Sequence, residues 1–331
     1  MSHRLHLARS AVAHGYRVAV LCRATGYRDR IEDAGFEVFD WRLSRGSLNP
    51  RQELRALLGV LRALRQFRPE LVHVVALKPS IYVALANSLE RVGSIVYALG
   101  GLGFVFTSRR VLARSLRPIL LLLFRWMFRR KSDRLILQNP DDQALLLAAR
   151  VIDPKQVRLI RGAGVDTRVF SPRPKEDSGV PLVVLPARLL WDKGVGEFVE
   201  AARSLRQRGV SARFILVGEP DPHNPECVPE DQVESWVNEG VVEAWGNRED
   251  MPDVLNRASI ICLPSYREGL PKALLEAASC AKPIVTFDVP GCREVVVEGL
   301  NGFLVPPRDV LGLIGALQSL CQTRSCVNVW V

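Results

Sequence analysis

Pro264-Ser-Tyr-Arg-Glu-Gly-Leu-Pro-Lys-Ala-Leu-Leu-Glu276 is the stretch on which the reading of the whole chain turns. The apolar run ahead of it, Ser259-Ile-Ile-Cys-Leu263, has the length and composition of a strand buried in a parallel sheet. Pro264 ends that strand, and Gly269 and Pro271 punctuate the turn that follows. Lys272–Ser279 then reads as a helix entered through Pro271, where a missing N–H costs nothing. Glu268 therefore stands just ahead of a helix N-terminus, and Glu276 lies farther along the same helix. Two acids and a set of main-chain N–H groups meet at the carboxyl end of a strand, where open α/β sheets bind ligands. A helix N-terminus favours an anion such as a diphosphate. Spacing alone leaves a second reading equally open, in which Glu268 caps the helix and Glu276 is a solvated or salt-bridged surface acid.

On either side of this stretch, strands and helices alternate. Before it come Leu182–Pro186 as a buried strand, a helix ending near Arg208, a strand over Arg213–Val217 and a short strand over Val241–Ala244. Glu219–Trp236 reads as irregular and polar, and Asp250–Arg257 as helical. After it, Lys282–Phe287 is a strand, Gly291-Cys-Arg-Glu294 starts a further helix, and Asp309–Leu320 is a last helix. The first half repeats the alternation: a helix over Ser2–His14, strands over Tyr16–Cys22, Phe36–Trp41, Leu71–Leu77, Ser94–Leu99 and Arg134–Gln138, and helices over Pro50–Phe67, Pro79–Arg91 and Pro140–Ala149. Such alternation predicts an α/β fold of two doubly wound, Rossmann-like parallel-sheet domains. The expected division is 1–171 for the first domain, a proline-rich linker over 172–181, 182–320 for the second domain, and an atypical tail over 321–331.

Composition narrows the class. A chain of 331 residues with 48% apolar and 24% charged residues suits two ordinary globular domains. No opening stretch has the pattern of a signal peptide. The longest apolar run, Pro118–Phe124, is cut by Arg125 and is far too short to span a bilayer. Seven cysteines without a CxxC spacing, two of them in the apolar settings of Cys262 and Cys280, fit a reducing cytoplasm. His73 ends an apolar strand and reads as a satisfied core histidine.

A net charge of +10 asks for an anionic partner. Nucleic acid is not expected, because no region interleaves its basic residues with stacking aromatics. The basic patch is Arg109–Arg134, with nine Arg or Lys residues against Asp133. Its arginines flank Phe124, Trp126 and Phe128 in a pattern that suits a helix at an anionic membrane surface. A core helix with a charged collar accounts for it equally well.

Glu268-x7-Glu276, with Gly269 after the first acid, resembles the signature of glycosyltransferase family 4, retaining nucleotide-sugar-dependent enzymes of the GT-B fold. Arg188 and Lys193, followed by Gly194, resemble that family's cationic pair for the donor diphosphate. Arginine offers phosphate a planar fork and lysine a compact charge. The resemblance implies that Glu268 orients the donor sugar, that Glu276 holds the ribose, and that amides near Gly269 and Leu270 receive the diphosphate. Asp-x-Asp is absent from the chain, so neither a metal nor another cofactor is expected. Ser2-His3-Arg4, Ala76-Leu-Lys-Pro-Ser80 and Leu99–Phe106 look like the branch that extends lipid-linked oligosaccharides, which makes His3, Lys78 and Gly101 acceptor-side candidates. The implied donor is a UDP-N-acetylhexosamine or related sugar, and the implied acceptor a polyprenyl-diphosphate saccharide. The implied setting is the cytoplasmic face of the cell membrane, in surface polysaccharide synthesis.

Two departures accompany the resemblance. The family carries a strand and glycine-bearing loop ahead of the helix that here begins near Met1, and a crossover beyond the helix that here ends near Leu320. A chain truncated at both ends is the expectation. A sugar-nucleotide 2-epimerase on the same fold, or a non-catalytic homologue holding anionic lipid or nucleic acid, are the competing readings.

Overall fold

A computed structural model describes residues 4–43, 49–101, 111–174 and 179–322, with backbone alone for 111–116. The chain divides into two compact units, 1–163 and 164–331. In the first, helix α1 (Leu5–Ala13) leads to β1 (Ala19–Cys22), the short helix α2 (Arg28–Glu32) and β2 (Glu37–Asp40). The long helix α3 (Pro50–Phe67) follows, started by Pro50 and by the Asn49 side chain, which accepts from the Arg51 N–H. Its buried residues Ala56, Val60, Leu61, Ala63 and Leu64 form one face, as 3.6-residue periodicity requires. Then come β3 (Leu71–Val75), α4 (Leu77–Glu90), β4 (Ser94–Ala98), α5 (Val111–Met127), β5 (Arg134–Leu137), α6 (Pro140–Ala148) and β6 (Val157–Leu159). All pairings are parallel, in a two-stranded sheet β1-β2 and a four-stranded sheet β3-β4-β5-β6.

Helix α5 has a buried side and an exposed side. Phe124 and Met127 are buried, as is Phe128 just beyond, where its ring meets Tyr97 edge-on at 5.3 Å. Those phenylalanines are core, and the opposite side carries the exposed Ile119 and Leu122.

The second unit is one six-stranded parallel sheet. Its strands are β7 (Leu182–Pro186), β8 (Arg213–Val217), β9 (Glu243–Gly246), β10 (Ile260–Leu263), β11 (Ile284–Phe287) and β12 (Gly302–Val305), in the order β12-β11-β10-β7-β8-β9. Every residue of β7, β10 and β11 is buried, which explains their continuous apolar runs. Helices α7 (Val195–Gln207), α8 (Glu230–Asn238), α9 (Met251–Arg257), α10 (Lys272–Ser279) and α11 (Val310–Gln322) complete it.

Several expectations need correction. Glu219–Trp236 is not wholly irregular: Pro229 introduces α8, which buries Val233 and Trp236. Gly291–Glu294 forms consecutive turns instead of a helix start. The units divide after Ala163, ahead of the expected linker at 172–181. Residues 170–173 already belong to the second unit: Ser279 donates to the Phe170 carbonyl, Asn256 to the Ser171 carbonyl, and the Arg173 N–H to Asn256. His73 is not satisfied, since its Nε2 is buried without a hydrogen-bond partner. Burial, then the Arg4 charge, lowers its pKa.

Charge is divided unequally. The first unit holds 28 Lys and Arg against 12 Asp and Glu, a net +16, and the second 17 against 23, a net −6.

Candidate active site

Three adjacent strands of the second sheet, β7, β10 and β11, send their carboxyl-end loops to one place. After β7 the chain makes a 3-10 turn over Trp191–Lys193 and passes through Gly194, at φ 73°, into α7. A Cβ on Gly194 would stand 2.1 Å from the Pro264 carbonyl oxygen at the end of β10. Only glycine tolerates both that approach and that backbone. The Tyr266 N–H donates to the Asp192 carbonyl at 2.9 Å and ties the two loops together. From the β11 side, a Cβ on Gly291 would lie 2.7 Å from the Glu268 carbonyl oxygen and 2.5 Å from that of Gly269.

This packing sets Lys193 Nζ 2.6 Å from Glu268 Oε1, with the two side chains only 18% and 14% exposed. Glu268 is thus an ion-pair partner and not the helix cap; the α10 N-cap is Pro271, and no side chain caps that end. Glu276 is neither solvated nor on the surface. It is buried on α10 with its Oε1 2.6 Å from Lys272 Nζ, one turn back. Arg188 stands apart from Lys193: its Nη1 meets Asp221 Oδ2 at 2.6 Å, on the loop after β8, and half of its side chain is exposed.

Sequence reasoning missed three groups here. Asp192 Oδ1 is buried without a partner, and burial raises its pKa against the lowering pull of Lys193. Ser265 is wholly buried with Oγ unpartnered. Cys292 is buried close enough to Glu268 to feel its charge; burial first, then Glu268, pushes its thiol up to about 12. None of these falls in a recognisable spacing.

The acceptor-side candidates are in the first unit. Lys78 Nζ lies 3.0 Å from both Glu53 carboxylate oxygens, and the Tyr82 hydroxyl donates to the same acid. Gly101 adopts φ 143°, next to the β4 terminus. His3 lies outside the described residues. Among the described residues, no group of three His, Cys, Asp or Glu side chains is arranged to hold a metal.

Two family descriptions match this chain: "Glycosyl transferases group 1" over residues 180–323 and "Glycosyl transferase 4-like domain" over residues 2–163. The chain belongs to glycosyltransferase family 4. This glycosyltransferase is 28% identical to the N,N'-diacetylbacillosaminyl-diphospho-undecaprenol alpha-1,3-N-acetylgalactosaminyltransferase of Campylobacter jejuni, over 92% of its own length and 82% of that protein. It is 24% identical to the UDP-Gal:alpha-D-GlcNAc-diphosphoundecaprenol alpha-1,3-galactosyltransferase of Escherichia coli, over 91% and 79%. Among solved structures it matches HepE of Anabaena, in complex with UDP and glucose, with a TM-score of 0.75 and 22% identity over 98% and 88% of the chains. Sucrose-phosphate synthase of Thermosynechococcus elongatus gives a TM-score of 0.79 and 20% identity over 98% and 84%. The fold is the expected α/β GT-B fold of Rossmann-like units, and the enzyme is a retaining hexosyltransferase.

Proposed function

We propose that the enzyme transfers a sugar, from a UDP-N-acetylhexosamine or related donor, to a polyprenyl-diphosphate-linked saccharide at the inner face of the cell membrane. The observation that carries this reading is the Lys193–Glu268 pair, held at the carboxyl edge of the second sheet by Gly194 and Gly291. An ammonium has three donors, and Glu268 uses one of them, so Lys193 can serve the acid and a phosphate oxygen together. Arg188, earlier on the same loop after β7, supplies a second cation, and the uncapped start of α10 supplies amides of matching polarity.

In this scheme the bond between the sugar anomeric carbon and the diphosphate oxygen breaks as the acceptor hydroxyl oxygen bonds to that carbon from the same face. The hydroxyl proton passes to the departing phosphate oxygen. Lys193, Arg188 and the α10 amides offset the negative charge that develops there, so the reading calls on no metal. Glu268 positions the sugar, and Glu276, fixed by Lys272, takes the ribose hydroxyls. The names of the relatives support a lipid-linked acceptor, and the +16 charge of the first unit supports an anionic leaflet as its surroundings. Among the described residues no helix is long and apolar enough to cross a membrane.

A thermal-shift series with UDP, GDP, ADP and TDP, repeated on Glu276→Ala, tests the donor site. One nucleotide should stabilise the wild type, and the variant should lose that effect. A clean transition indifferent to all four would end the transferase assignment of these residues.

A further inference from the structure

We propose that a pocket between the C-terminal ends of α4 and α5 takes the headgroup of an anionic, hydroxyl-bearing phospholipid, while the outer stripe of α5 lies in the same leaflet. This rests on the membrane-surface reading above and gives it a specific site. The pocket has a volume of about 250 Å³ and is lined by Asn87, Ser88, Arg91, Trp126, Arg129 and Arg130, among others.

Its chemistry is of two kinds. Arg91 and Arg129 are exposed and have no carboxylate partner among the described residues. Arg130 spends its Nη2 on the Val92 and Gly93 carbonyls at 3.1 and 2.7 Å. Of the nearby acids, Glu90 pairs with Arg65 at 2.6 Å, and Asp133, buried with Oδ1 accepting the Ile95 N–H, offsets part of the Arg130 charge and leaves Arg91 and Arg129 as the open cations. Cations at helix C-termini are ordinary, because each end carries roughly half a negative charge. Two such ends amount to roughly one charge, and three arginines exceed it. In the second unit several arginines pair with carboxylates, as in Arg203–Glu239, Arg213–Glu243 and Arg248–Asp250. Beside this pocket Arg125 donates to the Ala149 carbonyl and Arg134 to that of Lys131, and Asp133 is the acid that feels the charges of Arg130 and Arg134, so the cations there outnumber it.

The second kind is an unmet acceptor. Asn87 is 7% exposed, and its Oδ1 has no hydrogen-bond partner. An acceptor beside guanidinium groups calls for a ligand that is anionic and also donates a hydrogen bond. A phosphodiester with free hydroxyls, of the phosphatidylglycerol kind, has both.

A lipid, not a free phosphate ester, is indicated by the helix itself. Ile119, Leu122, Trp126 and Arg129 recur at three- and four-residue steps along one face. The Phe128 N–H bond to the Phe124 carbonyl carries that face on to Arg129. Ile119 is 64% and Leu122 68% exposed, and the Arg129 guanidinium lies 5.7 Å from the centre of the Trp126 ring. Exposed aliphatics, then an amphipathic ring, then cations is the sequence of groups that crosses from acyl chains to headgroups.

The test is partitioning of the full chain onto phosphatidylcholine vesicles carrying equal fractions of either phosphatidylglycerol or phosphatidylethanol, which has the same charge and no hydroxyl. The wild type should prefer phosphatidylglycerol. Arg91→Ala/Arg129→Ala should weaken binding by about thirtyfold, the worth of two arginines at an anionic leaflet. The same change at the exposed Arg55 and Arg62 of α3 should cost about threefold or less. Asn87→Leu should abolish the preference between the two lipids while keeping the charge-dependent part. Equal losses from the two arginine pairs would overturn the pocket and leave a diffuse membrane attraction standing. Displacement by soluble glycerol phosphate would move the site from lipid to free ester and overturn the proposal. No binding to either anionic vesicle would overturn both the pocket and the membrane reading.

Discussion

Lys193 and Glu268 lie 75 residues apart in the chain and 2.6 Å apart in space. The pair is mostly buried, so removing one partner strands the other's charge, whereas removing both does not. Lys193→Met should destabilise the fold by about 2–3 kcal/mol, and Lys193→Met/Glu268→Gln should restore most of that. Neither variant should regain transferase activity, because both lack the cation facing the donor. Urea denaturation and sugar transfer, measured in parallel, check this; a double variant as unstable as the single one would mean that the pair is not coupled. Asp192 offers a test by pH. Its pKa is raised by burial, so the folded chain holds that proton longer than the unfolded chain does. Stability from this group is therefore lost as pH climbs from the ordinary carboxylate range through the raised value. Asp192→Asn, which never ionises, should gain melting temperature over the wild type at about pH 7 and little or none at about pH 4. An equal offset at both pH values would show that the ionised carboxylate carries no such penalty.

Strand β4 has β3 on one side and β5 on the other, while β3 has β4 alone among the described strands. Every second amide of β3 therefore points to an edge without a strand partner, and β1 is likewise paired only with β2. Hydrogen exchange should be about tenfold or more slower for the amides of β4 than for those outward-facing amides of β3. Uniform protection across Leu71–Val75 would show that another segment covers that edge. The elements that were legible in advance are those whose signal is local. Ile260–Leu263 is an unbroken apolar run because both faces of the sheet are covered there, and Lys272–Ser279 follows Pro271, which stands at the N-cap ahead of the first helical residue. Helix α8 escaped notice because only Val233 and Trp236 are buried in it and prolines crowd its approach. The turns after Val289 resemble a helix start in sequence but never repeat into one. At the site, Glu268, Lys193 and Glu276 were identifiable as residues, but their partners were not. The Lys193–Glu268 contact exists only once β7 and β10 lie side by side. The pairing of Arg188 with Asp221, and the unpartnered Asp192, likewise depend on how separate loops pack.

Each unit has its own buried cluster, one centred on residues such as Val60, Ile95 and Leu137, the other on residues such as Val184, Phe198 and Ile261. Two cores of this kind should melt as two calorimetric transitions. The residues proposed to hold the donor all lie in 164–331, so a nucleoside diphosphate should raise one transition and leave the other in place. At a hundredfold excess over Kd the bound unit gains about 2.7 kcal/mol, enough to separate the transitions by several degrees. Gly194→Ala identifies which transition is which, because its Cβ would collide with the Pro264 carbonyl inside the second unit and nowhere else. That variant should lower the nucleotide-sensitive transition and blunt its response to ligand. If Gly194→Ala lowered one transition and the nucleotide raised the other, the donor site would have to be sought among the residues of the strongly basic first unit.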